Sequence, residues 1–263
     1  DEQGRFNQAI SEGVSNANNL TDTLKGAVAA YATVQTVGKE LDLSDTLTST
    51  AARLSMMNDG LQTTNDLQNM IYQSAERARG SYQATADAVS KLGTMAGDAF
   101  ASSGEVVAFM EQVNKQFTIA GTSASGMDAA MLQLTQAMGS GVLRGEEYNS
   151  ILEQAPNIIE TIANYLDVPK GKLKEMAAQG VITADVIKAA MFAAADETNA
   201  KFEAMPKTFG QIATSFRNTA LMAFQPVLSK LNDIANSASF QQFVSGVAAG
   251  AATIAEGLLM VVE

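Results

Sequence analysis

MGSGVLRGEEYNSILEQAPNIIETIA, residues 138–163, is the stretch on which the fold class turns. Its glycines, an arginine, two adjacent carboxylates and a proline fit either the rim of an active site or a corner between two helices. A phosphate cradle needs a preceding strand and G-x-G-x-x-G or a terminal Gly-Lys-Ser/Thr, whereas Gly139, Gly141 and Gly145 are spaced G-x-G-x-x-x-G and follow a helical pattern. Glu146, Glu147 and Glu153 invite a carboxylate-pair reading, but Glu146 and Glu153, if they share a helix face, would lie about 10 Å apart along its axis, slightly beyond the inverting range. No aromatic sugar platform accompanies it.

The corner reading uses more of the residues. Glycines at 139, 141 and 145 permit a left-handed helix end and a sharp re-entry. Glu146 and Glu147 then fall in a first helical turn, where the helix dipole favours negative charge, and Tyr148, Ile151 and Leu152 supply the buried face. Pro156 ends or kinks that helix before a second one built on Ile158, Ile159, Ile162 and Leu166.

Helical spacing extends in both directions. Leu24, Val28, Tyr31, Val34 and Leu41 recur at helical intervals behind a Thr21 or Asp22 cap. Leu47, Ala51, Leu54 and Met57 follow and stop at Asn58-Asp59-Gly60. Runs from Leu67 to Ala78, from Tyr82 to Leu92, from Val106 to Phe117, and through Met127, Met131, Leu134 and Met138 carry the same period. Beyond the corner, Leu173 to Ala177 is ended by Gly180, and Thr183 caps a helix through Ile187, Met191 and Ala194. Phe209, Ile212, Phe216 and Phe224 continue to Pro226, which bends or divides that element. No period-two strand and no fixed-length repeat stands out, so the expected fold is all-α: a multi-helix bundle of short to medium helices joined by Gly/Pro corners, with no sheet. The expected organisation is a flanking helical arm over 1–20, a helical domain over 21–239, and an apolar helix over 240–263 leading into sequence beyond this chain.

Composition narrows the function classes. At 263 residues and 46% hydrophobic the chain can bury a sizeable core, but with 6% aromatics, no Trp and 13 Met that core must be made of small and flexible side chains. A net charge of −11 opposes recognition of nucleic-acid phosphates or of an anionic membrane surface. The absence of Cys excludes disulfides and thiolate metal sites, and the absence of His removes the usual general base and commonest metal ligand. No cofactor is expected. A second corner, Leu173–Ala189, has the outline of a DNA-reading helix-turn-helix, but its capped helix offers only Lys188 as a cation. Residues 244–262 form an apolar run interrupted only by Glu256, near the length that spans a bilayer. Membrane insertion and burial against a partner both fit it, and Glu256 with several small residues favours burial. Val244, Val247, Ile254, Leu258, Leu259 and Val262 are its candidate membrane or partner contacts. The start at Asp1, without Met or a signal pattern, reads as a piece of a longer protein.

The series 138–163, then LDVPKGKLKEMAAQGVITADVIKAAMF (166–192), AKFEAMPKTFGQIATSFRN (200–218) and FQPVLSKLNDIANS (224–237), resembles the tape measure domain of tail tape measure proteins from long-tailed bacteriophages and prophages. TAARLSMMNDGLQTTNDLQNMIYQSAERARGSY (50–82) resembles the same domain, so the likeness covers residues 42–240. It implies a virion structural protein of the tail tube or tip that takes part in tail assembly and acts as a ruler of tail length. Tail tube, tail tip and assembly chaperone proteins are its implied partners, with self-association beside them. The implied locations are the virion tail, the bacterial cytoplasm during assembly and, for an infection-stage domain that assists DNA delivery, the host membrane. Some members of the family also cleave peptidoglycan, but the zinc, Cys-His and Glu-Ser signatures of those domains do not occur in this sequence, so the resemblance implies no catalytic residue. One continuous helix of this length would span about 395 Å, against a radius of gyration near 18 Å for a compact chain. Interruptions at Gly60, Gly80, Gly93, Gly97, Gly121, Gly141, Gly145, Pro156, Pro169 and Gly180 favour a compact domain, or a set of short helices, attached to ruler segments outside it.

Overall fold

The computed structural model describes residues 48–219 together with 221 and 222, which belong to one compact unit of the chain. Residues 48–57 form α1, ending ahead of Gly60 as the Asn-Asp-Gly turn requires. Then come α2 (Thr64–Arg77), α3 (Tyr82–Ala96), a short 3-10 turn (Gly97–Ala99), α4 (Ser103–Ala120) and α5 (Ala124–Ser140). After the corner follow α6 (Gly145–Gln154), α7 (Pro156–Tyr165), α8 (Lys170–Ala178), α9 (Ala184–Ala193) and α10 (Ala195–Glu203), and residues 209–219 open α11.

Local chemistry accounts for most of these boundaries. A helix leaves its first N–H groups without partners, and side-chain oxygens just before it satisfy them. Thr63 Oγ1 accepts from the Asp66 amide while the Asp66 carboxylate accepts from the Thr63 amide, a reciprocal capping box. Ser81, Ser102, Ser123 and Thr183 cap α3, α4, α5 and α9 through a single bond each, the side-chain oxygen accepting from the amide three residues on. Pro156 stands at the first position of α7, where its missing N–H costs nothing and its fixed φ suits the helix.

The helices bury a single apolar cluster that includes Leu54, Leu67, Val89, Phe109, Leu134, Ile151, Ile158 and Ile187. Helices α2, α3 and α4 pack on one another, α5 lies on α3 and α6, and α10 returns onto α4. Phe109 stands edge-on to Phe100 and Phe192, with ring centroids 5.3 and 6.3 Å apart, which gives the contact of α4 with α9 an aromatic centre.

Three expectations need correction. A two-residue antiparallel ladder is present: Val142–Leu143 (β1) pairs with Ile182–Thr183 (β2), in the register Val142↔Thr183 and Leu143↔Ile182. It is too short to leave a period-two signal, and the fold remains all-α. Gly93 does not break its helix: it lies inside α3 because Met57 packs on it, and an added Cβ would sit 2.6 Å from Met57 Cε. Phe209, Ile212 and Phe216, whose spacing suggested a core face, are 91%, 53% and 79% exposed. Phe224, Pro226 and the segments 1–47 and 223–263 lie outside the described residues.

Candidate functional site

The two corners picked out in the sequence are one place in the fold. Gly141, at φ +81°, closes α5, and Gly180, at φ +67°, closes α8, both in the left-handed region that glycine enters without a Cβ penalty. Three residues follow each glycine before the next helix begins, and two of the three on each side, Val142–Leu143 and Ile182–Thr183, form the ladder. The Ala184 amide donates to the Gly141 carbonyl at 2.9 Å, which ties the start of α9 to the end of α5. Gly139 is not part of the turn. It lies within α5, where a Cβ would approach the Met95 carbonyl oxygen to 2.8 Å, so its role is close helix packing.

Glu146 and Glu147 do sit in the first turn of α6. The Glu147 carboxylate accepts from the Arg144 amide at 3.1 Å, which makes it a cap, and Glu146 and Glu153 are exposed. Tyr148 and Ile151 are buried while Leu152 is half-buried. Tyr148 Oη donates to the Lys170 carbonyl at 3.1 Å, joining α6 to the start of α8, and burial pushes its phenol pKa up. Burying Ile151 and Tyr148 stabilises this corner by about 1.5–3 kcal/mol each. The corner is thus built as a joint. Lys188, the cation of the helix-turn-helix outline, donates to the Ala99 carbonyl at 2.6 Å and is four-fifths buried, so it is turned inward. Among the described residues no group of three or more acidic side chains is placed to hold a metal ion.

A second polar centre was missed in the sequence: the i,i+4 spacing of Glu111 and Lys115 is legible there, but their burial is not. Glu111 and Lys115, one turn apart on α4, are both buried; Lys115 Nζ donates to Glu111 Oε1 at 2.7 Å and to Asn199 Oδ1 of α10 at 2.8 Å. Arg77 of α2 closes on Glu111 Oε2 through Nε at 2.9 Å and a terminal nitrogen at 2.6 Å. Burial pushes the Glu111 carboxyl up, but the hydrogen bonds and charges of Arg77 and Lys115 together outweigh it and hold the group below its ordinary value. Gln116 extends the connection by donating to Thr198 Oγ1 at 2.8 Å. The network clamps α2, α4 and α10 together and is structural in character.

Among the described residues, two surfaces are the candidates for partner contact. One is a groove of about 830 Å³ between α3, the end of α4 and the start of α5, floored by Ala84, Ala88, Phe117, Met127 and Met131. The other is the outward stripe of α11. The candidate contacts Val244, Val247, Ile254, Leu258, Leu259 and Val262 lie outside the described residues. Among the described residues no helix is long and apolar enough to cross a membrane.

A compact all-α unit with capped corners, an inward-facing cation and a carboxylate that serves as a cap has the character of a structural module. Comparison with protein families matches the tape measure protein family over residues 38–233. The chain belongs to that family. Comparisons with curated proteins and with solved structures find no match. Membership places the tape measure domain among structural components of the phage tail, which associate with other tail proteins. The corners that carried the resemblance, 138–163 and 166–192, are the segments joined by the ladder.

Proposed function

We propose that this domain takes part in tail assembly and in setting tail length as a compact anchoring element within the tail tube or tip, and that it acts through contacts rather than catalysis. The observation that carries this reading is the family match coupled to a folded, many-cornered unit in place of one long rod. A ruler made of this stretch would need its helices end to end, whereas α5, α6 and α7 double back on one another. The proposed domain is 21–239, with residues 240–263 as a contact segment for tail tube, tail tip or chaperone proteins.

The test is deletion of residues 45–222 from the parent tape measure protein, with tails imaged by electron microscopy. The expected result is failed assembly, or tails of irregular length. Well-formed tails shortened uniformly by about 270 Å, the length of that stretch as a continuous helix, would show that it is ruler and not anchor. Tails of unchanged length would show that it has no part in either role.

A further inference from the structure

Helix α11 is an amphipathic helix set the wrong way round. It has its own start signal: the Gln211 amide donates to Thr208 Oγ1 at 3.2 Å and the Thr208 amide donates to Gln211 Oε1 at 3.1 Å. The face that meets the bundle is polar at its centre. Asn218, 1% exposed, accepts from the Tyr82 amide at 2.9 Å and donates to the Gly80 carbonyl and to Glu76 Oε1, both at 2.8 Å. Ser215 Oγ donates to Glu76 Oε2 at 2.5 Å. With about 100° per residue, Phe209, Ile212 and Phe216 occupy an arc of about 60° on the side away from Asn218. A helix ordinarily turns such a stripe inward. Here the polar latch fixes the rotation, and the two phenylalanines are left 91% and 79% exposed.

The charge around the stripe is equally unlike the rest of the chain. Net charge is −11, yet no Asp or Glu occurs between Glu203 and Asp233, the longest acid-free run in the sequence. Lys207 precedes the stripe and Arg217 follows it; both are exposed and make no ion pair among the described residues. Apolar anchors at i, i+3 and i+7 framed by a cation at each end have the form of one partner in helix-to-helix or helix-in-groove recognition. Their complement is apolar and acidic. An anionic bilayer is the weaker match: two cations attract it only weakly, while the strongly negative chain is repelled.

We propose that the Phe209–Ile212–Phe216 face of α11 is a docking surface for a partner protein that presents an amphipathic helix with an apolar stripe bordered by Asp and Glu. Such a partner would cover the phenylalanines without disturbing the latch, because Asn218 lies on the opposite side of the helix and the Ser215 hydroxyl is already bonded to Glu76.

The test uses the full chain and two synthetic helical peptides, each with Leu at i, i+3, i+4 and i+7, flanked by Glu in one and by Lys in the other. Binding is followed by fluorescence anisotropy. The Glu peptide is expected to bind in preference to the Lys peptide. Phe209→Ser with Phe216→Ser, at exposed positions that leave the circular dichroism spectrum unchanged, should weaken it at least about tenfold. Lys207→Glu with Arg217→Glu should transfer the preference to the Lys peptide. No binding, equal binding of both peptides, or insensitivity to the serine pair would overturn the proposal. So would association of the chain only with phosphatidylglycerol vesicles, or a dimer in sedimentation that Phe216→Ser abolishes, since a bilayer or a second copy would then be the occupant.

Discussion

Glu111→Ala should be among the most destabilising single changes in the domain, and the structure sets the scale. Among the described residues the carboxylate is the only charged partner of Lys115, whose side chain is 6% exposed and whose Nζ lies 2.7 Å away. At an effective dielectric near 20, two unit charges at that separation interact by about 6 kcal/mol before desolvation is counted. Removing one member of a buried pair strands the other, at a measured cost of about 3–5 kcal/mol. What remains for the ammonium is the Asn199 oxygen at 2.8 Å and the Phe202 ring centroid at 5.7 Å, neither of which neutralises it. Lys115→Met should cost less, about 1–3 kcal/mol, because Arg77 still holds Glu111. Arg77→Ala should cost no more than about 1 kcal/mol, since that side chain is 55% exposed and water screens it. A Glu111→Leu, Lys115→Met double variant should recover much of the loss. Urea unfolding of the full chain, followed by far-UV circular dichroism, measures all four. A cost below about 1 kcal/mol for Glu111→Ala, or an Arg77→Ala cost equal to it, would refute this reasoning. The pH dependence has a defined sign. The Glu111 carboxyl lies below its ordinary value of 4.5 in the folded protein, so its contribution is complete above that value and is lost as pH falls through the depressed folded value. The stability gap between the native chain and Glu111→Ala should therefore be flat near neutrality and narrow only in acid.

Other outcomes follow from the same structure. Gly141→Ala, at φ +81°, should destabilise the corner by about 1–2 kcal/mol, measurable as a lower urea midpoint. Glu146→Ala and Glu147→Ala should each change stability by no more than about 1 kcal/mol, with Glu147 the larger because it alone caps Arg144; loss of a hydrolytic activity in either variant would contradict the joint reading. Burial pushes the Tyr82 phenol up to about 12, so ultraviolet titration should show one tyrosine ionising well after the exposed ones. The unfolded phenol loses its proton near pH 10, so the folded state binds the extra proton between about 10 and 12 and stability should fall as pH rises through that window.

The sequence by itself determined most of the points at which helices start and stop. Capping by Thr183, the left-handed ends at Gly141 and Gly180 and the entry at Pro156 depend on chemistry within a few residues, and that chemistry is written locally. Helical periodicity likewise marked Val89, Leu92, Val113, Phe117, Ile158 and Ile162 as core, and the order of the corner motifs carried the family resemblance before any coordinates. Periodicity states that a helix has an apolar face; it does not state what that face meets. Only the tertiary structure turned the Phe209 stripe outward, because the rotation of α11 is fixed by Asn218 reaching Gly80 and Tyr82, far earlier in the chain. Only packing distinguishes Gly93 and Gly139, which admit close neighbours inside helices, from Gly141 and Gly180, which turn the chain. A two-residue ladder between remote corners, and the burial of the Glu111–Lys115 pair under Asn199 and Arg77 from other helices, arise from long-range meetings that no short window of sequence encodes.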